Sequence, residues 1–174
     1  PSSEKVMPPS ELYQTICNTF TAEKWQYAEV EGREVIQVGF EAHHTRVNMH
    51  IQAFPELSAI SVVSEYSTGT KEPARRERLA ELAMRCNEML TVGNFEMRWE
   101  LGVLVFRATN LFPTPQGNPE IIKGLVHTTV SEMDRIAPIL SMILTTEGAE
   151  LAGLDIPGLL NREDLLPQPP EENS

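Results

Sequence analysis

Basic residues are scarce in this 174-residue chain: 14 Lys and Arg stand against 25 Asp and Glu, for a net charge of -11. A surface of that sign repels phosphate, which opposes loose association with nucleic acid or an anionic membrane and favours protein partners. Cysteine is scarcer still, with Cys17 and Cys86 alone. Two thiols make neither a disulfide scaffold nor a cysteine metal cluster, and leave room for one disulfide at most. Long apolar runs are missing too. The longest, residues 136–144, contains Pro138 and falls far short of the ~20 residues that a bilayer-spanning helix needs. Also missing are a G-x-S-x-G elbow, an H-E-x-x-H helix, a Walker loop and a G-x-G-x-x-G fingerprint. The sequence therefore assigns no catalytic residue, no metal ligand and no cofactor, and the expectation is a non-enzymatic protein. No secretory leader pattern is visible, which together with two unscaffolded thiols predicts a cytoplasmic location.

What is present is an ordinary globular composition, 41% hydrophobic and 22% charged, long enough for one domain with a core. After a leader over residues 1–9, Ser10 caps a short helix with Leu12 or Tyr13, Ile16, Cys17 and Phe20 at helical spacing. Residues 25–66 switch to period two. Breaks at Gly32, around His43 and at Pro55-Glu56 divide the stretch into four strands of an antiparallel meander. Val30, then Ile36, Val38 and Phe40, then Val47, Met49 and Ile51, then Ile60 and Val62 supply one buried face, so the sheet is covered on one side.

Pro73 suits the first turn of a second helix with Leu79, Leu82, Ala83, Cys86 and Leu90 on its stripe. Phe95, Met97 and Trp99 alternate with Glu96, Arg98 and Glu100 before Gly102 turns the chain into another apolar strand. That hairpin, with Trp99, Val103 and Val105, is expected to leave apolar surface exposed. Asn118 before Pro119 opens a long third helix that carries Ile122, Leu125, Thr129, Met133, Ile136, Leu140 and Ile143. A kink is expected near Pro138. The pattern decays after Gly148, so residues 10–148 form a single α+β domain and 149–174 an acidic, proline-containing tail. Two layers are implied: a mainly antiparallel sheet with helices on one face, in the order α-ββββ-α-ββ-α.

The stretch "EAHHTRVNMH", residues 41–50, holds three of the four histidines. If Val47, Met49 and Ile51 point inward, His44, Arg46, Asn48, His50 and Gln52 share the other, solvated face. His44 and His50 then lie about 20 Å apart along the strand, too far for one metal, and a bend at His43-His44 would aim those two neighbours in opposite directions.

"STGTKEPARRER" is the one basic exception. Thr70, Lys71, Arg75, Arg76 and Arg78 pass from strand to helix, where backbone N–H groups and guanidiniums together suit an anion or a docking partner. Five of the 14 basic residues fall between Lys71 and Arg85. Pairing with Glu72, Glu77 and Glu81 is the plainer use of these arginines.

The strand-loop-helix "SEYSTGTKEPARRERLAELAMRCNEML" followed by "GNFEMRWELGVLVF", within this order of elements, resembles the YbjN-like family, which has the type III secretion chaperone-like fold. The resemblance spans about residues 10–146 and brings no catalytic residue. It implies a two-layer α+β domain, often paired, of a family sometimes labelled regulatory. The acidity is similar to that of secretion chaperones, which bind extended client segments. A homodimer that binds a protein client or regulatory partner is thus the expectation. The alternative is a small anionic-ligand or enzyme domain built on residues 67–78.

Overall fold

The computed structural model describes residues 7–162. Ser10 accepts the Tyr13 amide at 3.1 Å and opens α1 (Glu11–Ala22), which buries Leu12, Tyr13, Ile16 and Phe20 and leaves Cys17 half-buried. The cap is itself anchored, because the Ser10 amide and hydroxyl both donate to the Glu34 carboxylate at 2.8 Å. The meander then runs β1 (Ala28–Glu29), β2 (Val35–Glu41), β3 (Arg46–Phe54), a 3-10 turn (Pro55–Leu57) and β4 (Ala59–Glu65). Next come α2 (Pro73–Met89), β5 (Asn94–Arg98), β6 (Val103–Leu111) and α3 (Pro119–Thr145). All strand pairs are antiparallel, in the order β1-β2-β3-β4-β6-β5.

Register decides which residues meet the helices. Ile36, Ile51, Val62 and Ala108 are neighbours across four strands, and the same face carries Val38, Met49, Phe106 and Phe95. These side chains join Leu79, Leu82 and Cys86 of α2 and the buried stripe of α3 in one core. Every residue assigned to the α3 stripe from sequence is buried, and Asn118 caps that helix by accepting the Glu120 and Ile121 amides. The α+β, two-layer arrangement with helices on one face therefore holds. Val30 and Phe40 are only half-buried, Val30 because it follows β1 in the turn toward β2.

Two features differ from the sequence expectation. Packed structure continues past Gly148 in two short helices, α4 (Ala149–Ala152) and α5 (Ile156–Leu160), which bury Leu151, Ile156 and Leu160 on the core. Helices of one turn have no periodicity to read. The expected tail beyond residue 162 lies outside the described residues. Second, Val103 and Val105 are not exposed: they are 8% and 3% accessible, although they sit on the face away from the helices.

Candidate functional site

The basic segment does not form one surface. Gly102, at φ +61°, lets the β5–β6 turn come against the loop before α2: the Thr70 amide donates to the Gly102 carbonyl at 3.1 Å, and a Cβ at Gly102 would sit 1.6 Å from the Thr70 oxygen. The loop is fixed by backbone contact, with Thr70 partly buried and Lys71 exposed. Arg75 turns inward and is 5% accessible. Its Nη1 donates to the Ile143 and Thr146 carbonyls, both at 2.6 Å, and Nε and Nη2 reach Glu72 and Glu147 at 3.0 and 3.4 Å. It satisfies carbonyls that α3 leaves open at its C-terminal end. Arg78 pairs with Glu81 and donates to the Leu154 carbonyl, tying α2 to the segment between α4 and α5. Arg76 lies 4.3 Å from the centre of the Trp99 ring and donates to the Trp99 carbonyl at 3.3 Å. Two of the three arginines thus clamp the chain's C-terminal region, and the third holds a half-exposed tryptophan.

The histidine stretch also divides. Arg46, Asn48 and His50 face solvent as expected, opposite buried Val47, Met49 and Ile51. His44 belongs instead to the tight turn between β2 and β3, where the His43 and His44 rings stack edge-on with centroids 4.5 Å apart; they do not point opposite ways. Asp134 of α3, itself buried, accepts the His44 and Thr45 amides at 2.6 and 3.1 Å and fixes this turn. Sequence reasoning had no access to Asp134, because turn and carboxylate are 90 residues apart. Among the described residues no group of three or more His, Cys, Asp or Glu is arranged to hold a metal.

Two other places carry recognisable chemistry. A cleft of about 650 Å³ runs between this turn, the end of β4 and α3, lined by Pro138, Leu140 and Ser141 of α3 with Thr45 and Thr68. Residues 67 and 68 of the basic segment line it, but none of its arginines does. Pro138 has no amide hydrogen to give the Asp134 carbonyl, and Tyr66 donates its hydroxyl to the adjacent Met133 carbonyl. At the other end, the Tyr13 hydroxyl donates to Glu29 at 2.7 Å with the Cys17 sulfur 3.9 Å from the same oxygen. Burial, the largest influence, pushes both the phenol and the thiol up, so Cys17 is a poor nucleophile at neutral pH.

A third feature is the face of the sheet that the helices leave open. Its strands present three arginines and three glutamates, paired as Arg46–Glu41, Arg98–Glu65 at 3.1 Å and Arg107–Glu96 at 2.7 Å. Arg98 on β5 reaches over β6 to Glu65 on β4. The stems of these long side chains lie over Val105, whose cross-strand partners are Glu65 and Glu96, and this explains its burial. Arg33 from the turn before β2 adds a cation that has no ion pair among the described residues. Arg33, Arg98, Arg107 and His50 line a recess of about 250 Å³ together with Val63 and Phe54. The facing of His50, Gln52 and Arg98 was legible in the sequence, but their convergence was not. The recess draws on five strands and a turn, and no local spacing encodes that.

No family model matches the sequence, and no curated protein matches it. Among solved structures the fold is similar to that of YbjN from E. coli, described as a candidate transcription regulator. The two share 13% identity at a TM-score of 0.53, over 75% of this chain and 89% of that one. The likeness establishes the fold, the one that the strand-loop-helix and hairpin patterns suggest. Among the described residues no helix is long and apolar enough to cross a membrane.

Proposed function

We propose that the chain is a non-catalytic protein-binding domain, chaperone-like or regulatory, which contacts its partner through the open face of the sheet. The observation that carries this reading is the segregation of the helices. With about 4.8 Å between strands and about 3.3 Å per residue, the open face measures on the order of 600 Å², close to one partner's share of a standard interface. The similar fold of a candidate transcription regulator is compatible with a regulatory role. The test compares two charge-altered forms in capture of partners from the native host. Arg98→Glu with Arg107→Glu alters the open face, whereas Glu77→Lys with Glu88→Lys alters exposed positions of α2. Loss of the same partners from the first form only is expected. Equal capture by both forms would sink the open-face reading.

Pairing with a second copy is a companion proposal, and a different edge supports it. Trp99 and Leu101 in the β5–β6 turn are 48% and 47% accessible. Apolar surface of this kind at one edge suits an isologous contact. Light scattering after gel filtration is expected to give twice the 19.5 kDa chain mass. A mass that stays at the single-chain value across a wide concentration range removes the dimer.

A further inference from the structure

We infer that the recess on the open face receives a carboxylate side chain from an extended segment of the partner, and that a second, apolar side chain four residues along the same segment seats on Leu111, beyond the Phe54 rim of the recess. This deepens the open-face reading and rests on it. Three guanidiniums and an imidazole converge on a volume of about 250 Å³, below the ~300 Å³ at which pockets for whole small molecules begin. The space fits a side chain. On a chain of net charge -11, four arginines against three glutamates make this face the part that an acidic segment can approach.

The resident carboxylates do not close the site. Glu65 and Glu96 are 36% and 39% accessible, and exposed pairs of this kind are worth only about 0–1 kcal/mol, so the arginines can turn to an incoming acid at little cost. Arg33 supplies the surplus charge.

Register sets the second contact. His50, Val63 and Arg107 form one row across β3, β4 and β6, and Phe54, Ala59 and Leu111 form another four residues along. The rows are separated by about 13 Å, which an extended chain lying along the strands also covers in four residues, with positions i and i+4 on one side. Leu111 is 71% accessible and Phe54 partly so. The recognised pattern is therefore acidic-x-x-x-apolar in an extended segment. A densely charged polymer such as nucleic acid fits poorly, because the rest of the molecule repels it.

Fluorescence anisotropy with short synthetic peptides tests this on the full chain. A peptide with Glu and Leu four apart is expected to bind at least about tenfold more tightly than its Gln counterpart, or than a peptide with the same pair three apart, a difference of ~1.4 kcal/mol. Arg33→Ala, at an exposed position, is expected to remove most of that preference while the melting temperature stays put. Equal binding of the Glu and Gln peptides overturns the inference, as does binding indifferent to spacing or the absence of any binding. Displacement by inorganic phosphate at low millimolar concentration also overturns it, by making the recess a small-anion site. These outcomes are separable from failure of the open-face reading, which is judged by partner capture with the Arg98 and Arg107 variants.

Discussion

Each strand of this sheet serves two regions with opposite rules. Toward the helices, Ile36, Met49, Ile51, Val62 and Phe106 are at most 2% accessible and belong to one core. One residue along, Gln37, His50, Val63 and Arg107 face outward, and order there comes from ion pairs and the stems of long side chains. Val35, Ala59, Val103 and Val105 are buried on that outer side without joining the core. Val103 lies against Gly69 of the loop before α2, whereas Val105 sits between Glu65 and Glu96, so low accessibility has more than one cause in this molecule: apolar packing between layers, which resists change, and, over Val105, coverage by long charged side chains, which a partner can rearrange. Stability should follow the first and binding the second.

The sharpest way to break the comparison is to exchange the rules at adjacent residues of β3. Met49→Asp places a carboxylate at a position 2% accessible and is expected to cost about 3–5 kcal/mol, whereas His50→Ala stays within about 0.5 kcal/mol. Urea unfolding of both variants gives the answer. Similar midpoints for the two would mean that the faces are not distinct.

Arg75 provides the next largest effect, and it separates structural from displayed arginines. Arg75→Ala leaves the Ile143 and Thr146 carbonyls without their donor at a buried site, and a loss of about 3 kcal/mol is expected. Arg76→Ala, which removes only the contact over Trp99 and one bond to its carbonyl, should cost about 1 kcal/mol or less. If thermal melts rank the two the other way, Arg75 is not the clamp of α3.

These contrasts mark what the sequence could reveal. Ser10, Pro73, Asn118 and Gly102 act locally, and the core stripes repeat at the period of their element, so helices, strands and the inward face were legible. The arginines were not sorted by the same means. Arg75, Arg76 and Arg78 look alike in "PARRER", and only the end of α3, 68 residues further on, distinguishes the buried one. Nothing in the α3 sequence sets Asp134 apart from the other polar residues of that helix; its role comes from the β2–β3 turn packed against it. The recess on the open face was hidden for a related reason. β6 lies between β4 and β5, and that non-sequential order brings Arg98 and Arg107 together with His50.

On the open face itself the expected effects are small. Arg98→Ala cuts the bridge over β6 between groups that are 59% and 36% accessible, and about 0.5 kcal/mol is expected, shrinking further in molar salt. A loss of several kcal/mol that persists in high salt would show that this lattice is structural, and would remove the basis for exchanging its carboxylates with a partner.

The smallest expected effect is a titration. The hydrogen bond from Arg107, followed by a smaller direct charge attraction, holds the Glu96 carboxyl below its ordinary value of 4.5, against the opposing influence of partial burial. A carboxyl whose value is lower in the folded than in the unfolded chain adds stability above about pH 4.5 and loses it as pH falls through the folded value. In Arg107→Gln the charge is gone, so Glu96 should return toward 4.5. The wild-type and variant unfolding curves should differ most above pH 5 and converge in stronger acid. Because both partners are about two-fifths accessible, solvent screens the pair and the gap will be slight, so the direct readout is the Glu96 carboxyl carbon shift followed by NMR. A midpoint that Arg107→Gln leaves unmoved would mean that Arg107 does not hold Glu96 in solution. The guanidinium would then already be available to an incoming acid, and the resident pair would oppose the partner even less than its geometry implies.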